Sequence, residues 1–203
     1  MRIVVATANA GKLSEIRAIL GEPGLELSGL ADFPLFPAAE ETGDTFADNA
    51  LLKAQTAAHY TDMWALADDS GLVIPALDGH PGVRSARFAG PAASDADNIV
   101  KVLELMRGVP DDRRQGEFVC SIALVGTNNR AYFSEGSLKG TIIREPRGSW
   151  GFGYDPIFLL PDKMKTLAEL PADVKNGLSH RTIALRKIKP LLLMLAKRDQ
   201  PVC

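Results

Sequence analysis

Asp68 and Asp69 stand side by side after the apolar run Trp64-Ala65-Leu66-Ala67, and Glu40 and Glu41 stand side by side in a loop ahead of a helix. Adjacent acids repel, so a pair at the end of a strand is easiest to rationalise beside a cation. Carboxylates at the carboxyl end of a strand in an open α/β sheet sit where ligands bind. Mg2+ suits such a pair, because it takes one or two carboxylates, keeps several waters and shares substrate phosphates. The competing reading for either pair is a solvated surface charge. Ser70 and Gly71 follow directly, adding a hydroxyl and permitting close backbone approach.

The turn Thr7-Ala8-Asn9-Ala10-Gly11-Lys12 lies between a short apolar strand and a helical pattern. Backbone N–H groups at a helix N-terminus attract an anion, and Lys12 adds a point charge, so the turn could cradle a phosphate. It could also be a polar turn with a solvated lysine. It is not a P-loop, which needs a glycine five residues before its Gly-Lys and a Ser or Thr after it, where this chain has Ala6 and Leu13. Further on, Phe152, Tyr154 and Asp155 are interleaved with Gly148, Gly151 and Gly153 in the loop 146–155. Such a loop can offer a ring to stack on a heterocycle, or fold its rings back onto the core. Ser179-His180-Arg181, with Lys175 just upstream, opens the last helix as a second site for an anion or carbonyl. Phosphate and metal groups at one place and a stacking loop at another make the layout of a nucleotide site.

The elements that must hold these residues alternate between strand and helix, which argues an α/β fold. Ile3-Val4-Val5-Ala6 reads as a buried strand, followed by a helix with Leu13, Ile16, Ile19 and Leu20 on one face. Thr45 with Asp48, and Ser94 with Asp97, have capping-box spacing and open helices through about Ala58 and through Met106. Trp64–Ala67 is expected to be a strand that ends at the acidic pair. Phe118–Val125 and Arg130–Glu135 read as an antiparallel pair around Gly126-Thr127-Asn128-Asn129, with further strands at Leu138–Arg144 and Pro156–Leu160. Ser179 is expected to cap the last helix, with Pro190 as a kink.

Composition narrows the class. The chain has 203 residues, 46% of them hydrophobic and 24% charged, with a formal net charge of -2. These are globular values, and near-neutrality provides no broad footprint for a nucleic-acid polymer or an anionic membrane. Cys120 and Cys203 are too few for a disulfide framework or a zinc site. Met1-Arg2 passes straight into a strand-like run without a leader, and no apolar stretch is long enough to span a membrane. A soluble, cytoplasmic protein with one two-lobed domain over 1–203 is expected.

Six co-linear segments then resemble the inosine triphosphate pyrophosphatase (XTP/dITP diphosphatase) family. They are Thr7–Lys12, Glu41–Ala50, Ala67–Leu72, Pro81–Arg87, Gly151–Pro156 and Ser179–Arg181. The resemblance implies an elongated mixed β-sheet flanked by helices, with two lobes around a central nucleotide-binding cleft, and a homodimer. It implies Mg2+-dependent hydrolysis of ITP, dITP and XTP to the monophosphate and pyrophosphate, cleansing the nucleotide pool. By the same resemblance Thr7, Ala8, Asn9, Ala10, Gly11 and Lys12 hold the triphosphate and Asp69 is the general base, sharing Mg2+ with Glu40 or Glu41. Phe152 and Tyr154 frame the base, while Ser70, Gly153, Asp155, Lys175, His180 and Arg181 also contact the nucleotide.

Overall fold

The computed structural model describes residues 1–37, 39 and 41–198, so Glu40 and Cys203, both singled out on sequence, lie outside the described residues. The fold is α/β, with one mixed seven-stranded sheet and five α-helices among the described residues. The sheet order is β2-β1-β3-β4-β5-β6-β7. The strands are β1 (Arg2–Val5), β2 (Glu26–Gly29), β3 (Trp64–Val73), β4 (Gln115–Val125), β5 (Ala131–Ile142), β6 (Phe158–Leu160) and β7 (Lys165–Thr166). The helices are α1 (Ala10–Leu20), α2 (Phe46–Thr61), α3 (Asp95–Leu105), α4 (Ala172–Leu178) and α5 (His180–Arg198). β1 pairs in parallel with β2 and β3, Val4 lying opposite Ser28 on one side and Ala65 on the other. β6 is antiparallel to both β5 and β7. No helix among the described residues is long and apolar enough to cross a membrane.

The chain divides into two compact units, the first of residues 1–69, 120–136 and 181–203 and the second of residues 70–119 and 137–180. In the first unit the period-2 alternation of a strand decides which helix each residue meets. Ile3, Val5 and Leu66 face a core with Ile16 and Leu20 of α1 and Leu185, Ile188 and Leu192 of α5. Val4, Ala6, Ala65 and Ala67 face the opposite way, onto the alanine face of α2 formed by Ala50, Ala54, Ala57 and Ala58. Cys120 is fully buried and desolvation pushes its thiol up to about 12, so it acts as a small core residue. The second unit has its own core, in which Leu72, Val102, Met106, Phe118, Ile142, Tyr154 and Phe158 meet.

Both helix caps are present, but only Ser94 with Asp97 closes the reciprocal box, Ser94 N–H donating back to Asp97 Oδ2 at 2.8 Å, whereas the Thr45 hydroxyl donates to Asp48 Oδ2 at 2.7 Å. Thr45 Oγ1 accepts from Asp48 N–H at 3.1 Å and Ser94 Oγ from Asp97 N–H at 3.2 Å. Two expectations need correction. β3 does not end at the acidic pair but runs through it to Val73, because cations on neighbouring helices neutralise the carboxylates inside the sheet. The two strands expected on either side of Gly136 are one continuous strand, β5. Pro190 lies inside α5, which continues past it.

Candidate active site

Asp68 and Asp69 are neighbours on a strand, so they point to opposite faces of the sheet. This alternation resolves the like-charge problem that sequence alone left open. Asp68 shares the face of Leu66, towards α1 and α5, while Asp69 shares the face of Ala65 and Ala67, towards α2. Both are buried, and each is given its own cations.

On the α1 and α5 side, Asp68 Oδ2 accepts from Lys12 Nζ at 2.9 Å and from Arg181 Nε at 3.1 Å. The other end of the Arg181 guanidinium meets the Glu15 carboxylate. Burial alone would push the Asp68 carboxyl up, but the charges of Lys12, Arg181 and Lys53 overwhelm it and hold Asp68 far below the usual carboxylate range. Burial opposes the Arg181 charge in the same way, and Asp68 and Glu15 more than restore it. Lys12 reaches this place because Asn9 caps α1, its side chain accepting from Lys12 N–H at 3.0 Å while its own N–H donates to Thr7 Oγ1 at 3.2 Å. The amides of Ala10 and Gly11 then belong to the first turn, whose N–H groups have no intrahelical acceptor. The turn therefore combines helix-terminal amides with a lysine.

On the α2 side, Asp69 Oδ1 accepts from Lys53 Nζ at 2.8 Å and Asp69 Oδ2 from Asn49 Nδ2 at 3.3 Å. Lys53 also donates to Glu41 Oε1 at 3.1 Å. One ammonium thus joins two carboxylates. Asn49 and Lys53 are four residues apart on α2, which places them on one helix face. Asn49 also grips the preceding loop, accepting from Gly43 N–H at 2.8 Å. A side chain at Gly43 would start 2.6 Å from Asp48 Cβ, so only glycine lets the loop lie this close to the helix and bring Glu41 round. Burial pushes the Asp69 carboxyl above its ordinary value, with Lys53 offsetting part of that push and Glu41 adding to it. Lys53 remains charged: burial works against it, but Asp69, Asp68 and Glu41 together hold it above its ordinary value.

In the second unit, Asp155 Oδ2 accepts from Lys175 Nζ at 2.6 Å and from Phe152 N–H at 3.0 Å. Lys175 Nζ lies 4.4 Å from the centre of the Phe152 ring, so a cation sits over that ring. Gly151 has φ +83, and a Cβ there would fall 2.0 Å from Asp155 Oδ2. Two further anchors fix the loop: Gly153 N–H donates to Asp95 Oδ2 at 2.7 Å, and the buried Tyr154 hydroxyl donates to Ser85 O at 2.8 Å. His180 is buried and stacked on Phe118, ring centres 4.9 Å apart and 10° from parallel. Ser70 follows Asp69 within β3.

The residues anticipated on sequence therefore gather into three clusters: Lys12 with Asp68 and Arg181, Asp69 with Glu41, and Phe152 with Asp155 and Lys175. Tyr154 faces the core through its hydroxyl bond to Ser85, with its ring 4% exposed. Sequence reasoning missed Lys53, Asn49, Glu15 and Asp95. The i, i+4 spacing of Asn49 and Lys53 after the Thr45 cap was the available signal for the first two.

The chain resembles known proteins over nearly its whole length. It is 52% identical over 188 residues to the dITP/XTP pyrophosphatase of Geobacter sulfurreducens, covering 93% of this chain and 94% of that one. A HAM1 protein from Coxiella burnetii superimposes with a TM-score of 0.88 at 44% identity, covering 96% of this chain and 99% of that one. The Ham1 protein of Staphylococcus aureus superimposes with a TM-score of 0.87 at 37% identity, covering 96% of this chain and 100% of that one. The model of the Ham1 family matches residues 3–191, spanning all three clusters, and the chain belongs to that family.

Proposed function

We propose that this protein hydrolyses dITP, XTP and ITP to the nucleoside monophosphate and pyrophosphate, with Asp69 as general base. The observation that carries this reading is the buried Asp69 carboxylate held 2.8 Å from Lys53, in the same unit as the Lys12 turn. The 52% identity to a dITP/XTP pyrophosphatase supports the substrate class. A water oxygen attacks the α-phosphorus and passes its proton to Asp69, whose burial raises its basicity. The bond from the α-phosphorus to the α,β-bridging oxygen breaks, and pyrophosphate leaves with that oxygen. Positioning and charge neutralisation are what such a transfer demands of a protein. Lys12 and the first-turn amides of α1 take the phosphates, and the Phe152 ring with Tyr154, Asp155, Lys175 and His180 serves the base and sugar.

Among the described residues no group of three or more His, Cys, Asp or Glu side chains is arranged to hold a metal ion. Asp69 and Glu41 nevertheless converge on one cation position, taken by Lys53, and two hard carboxylates suit Mg2+ when phosphates and water complete its shell. Glu41 and Asp69 are thus the residues that would hold Mg2+. When bound there, the ion would supply charge neutralisation to the phosphate oxygens. The chain's place in the cell would be the cytoplasm, working as a homodimer that removes deaminated purines from the nucleotide pool.

The test is a turnover panel over purine and pyrimidine triphosphates in 18O-water, with and without Mg2+. Label in the monophosphate and release of intact pyrophosphate are expected, with dITP and XTP ahead of dATP and dGTP. Inorganic phosphate and a diphosphate as first products would overturn the reading. A sedimentation measurement of mass tests the dimer.

A further inference from the structure

In the second unit, on the outer side of α3, Val100, Leu103, Glu104, Arg107, Arg114 and Arg144 line a cavity of about 340 Å³. Three of the six are arginines and one is acidic. Arg114 is only 3% exposed. Its guanidinium donates to four backbone carbonyls: Ile142 at 2.7 Å, Met106 at 2.6 Å, Val109 at 3.4 Å and Ile143 at 3.3 Å. These dipoles fix the side chain without cancelling its charge, and they use four of its five N–H donors. The neighbouring carboxylate of Asp111 is engaged by Arg144, at 2.6 and 3.1 Å. Burial, and next the charge of Arg144, push the Arg114 guanidinium below its ordinary value, with Asp111 offsetting part of that push. Arg107 has no ion-pair partner among the described residues, and its side chain is exposed at the rim.

A buried arginine held by carbonyls at the base of a cavity, with two more at its edge, is the arrangement that recognises an oxyanion through charge-assisted hydrogen bonds. The remaining wall is formed by the apolar Val100 and Leu103 and by Glu104, whose single negative charge is outnumbered by the three arginines. The volume falls within the range of small-molecule sites and exceeds what a lone phosphate fills. Lysine would offer only a point charge, whereas the planar guanidinium suits a phosphate.

We propose that this cavity is a second ligand site, separate from the Asp69 and Lys12 clusters, that binds a phosphate-bearing small anion. Its phosphate meets Arg107, Arg114 and Arg144, and any organic part lies against Val100 and Leu103. Two sources share this chemistry, an inorganic oligophosphate and a phosphate monoester, and the test separates them.

Calorimetric titration uses pyrophosphate and inosine monophosphate as probes, in the full chain carrying Lys12→Ala to weaken phosphate binding at the Lys12 turn. Each is repeated with Arg107→Gln and Arg144→Gln added. Both added substitutions are at exposed side chains and break at most the surface ion pair to Asp111 and one long hydrogen bond to Val109 O at 3.4 Å, so folding is preserved. One site that weakens roughly tenfold or more on loss of the two arginines, and weakens with salt, is expected for at least one probe. Pyrophosphate alone binding assigns an inorganic anion, and the monophosphate binding more tightly assigns an ester held partly by Val100 and Leu103. Absence of binding by either probe, or binding indifferent to the arginine substitutions, would overturn the proposal. Hydrolytic turnover in an Arg107→Gln/Arg144→Gln protein that retains Lys12 should stay at the wild-type level without added anion.

Discussion

Lys53 Nζ lies 2.8 Å from Asp69 Oδ1 and 3.1 Å from Glu41 Oε1, so a single ammonium holds together the carboxylates assigned to base and metal. The pair gives the pH dependence of the reaction a definite sign. A base must be ionised, so kcat/KM falls as pH drops through the Asp69 pKa. Burial lifts that pKa above the ordinary carboxylate value, which moves the acid limb towards neutrality, and Lys53 holds it back. Lys53→Gln removes the restraint. The acid limb should then move to still higher pH, with a greater loss of rate at acid than at alkaline pH. A pH profile of dITP hydrolysis for both proteins checks this, and an unmoved limb would assign the titration to another group.

Asp69→Asn keeps the shape of the side chain and removes its proton-accepting charge. Loss of a general base lowers rates by roughly 10²–10⁴-fold, and loss of a metal ligand adds to that. An Asp69→Asn enzyme within a few-fold of wild type in single-turnover dITP hydrolysis would move the base elsewhere.

Arg181 is the buried cation between Asp68 and Glu15, and its removal leaves Asp68 with Lys12 and takes the guanidinium away from Glu15. Breaking a buried ion pair by removing one partner typically costs about 3–5 kcal/mol. Arg181→Met is therefore expected to lower the urea midpoint sharply. The Asp68 pKa is depressed in the folded chain, so its contribution to stability is complete above the unfolded value of about 3.9 and is lost as pH falls below it. Wild-type stability should decline steeply on that side, and the decline should be shallower in Asp68→Asn. Equal slopes in urea titrations at several acid pH values would contradict the assignment.

What could be read from sequence here followed from local rules. The helix caps at Thr45 and Ser94, the apolar period of α1 and the Asn9–Lys12 turn each need only neighbouring residues to be recognised. The continuation of β3 through Asp68 and Asp69 was hidden because the cations that make buried acids tolerable come from Lys12, Lys53 and Arg181, up to 113 positions away in the chain. Charge compensation across such distances leaves no local pattern. Likewise β7 is two residues long, below the length at which alternation can be seen. Arg181 looked like a ligand contact by residue type, and only the fold reveals its engagement with Asp68 and Glu15.

Within the loop 151–155 the Asp155 carboxylate clasps Phe152 N–H, and glycine is what makes room for it. In Gly151→Ala the new Cβ would meet Asp155 Oδ2 at 2.0 Å and would also have to adopt φ +83. The carboxylate must swing away, freeing both Phe152 N–H and Lys175. KM should rise substantially with a small loss of thermal stability. Tyr154→Phe, which removes the hydroxyl bond to Ser85 O, should cost about 0.5–1.5 kcal/mol of stability with less effect on KM. Equal KM changes in the two variants would show that the loop moves as one piece and not through the Asp155 clasp.

Phe152 separates affinity from discrimination. Its ring lies with Lys175 Nζ 4.4 Å from its centre, and its N–H is fixed to Asp155, so its plane is set before a ligand arrives. Stacking of a base on an aromatic side chain is worth about 1–3 kcal/mol and tolerates any base, because each has a π-face. Phe152→Ala should therefore raise KM roughly 10–100-fold for dITP and for dATP alike, since about 1.4 kcal/mol is a factor of ten. Their ratio of kcat/KM should change little. Phe152→Leu, which keeps volume without the π-face, should lie close to the alanine variant. A selective loss of dITP turnover in either variant would mean that this ring reads the base edge indirectly, through the position of Lys175, and the stacking role would pass to another residue.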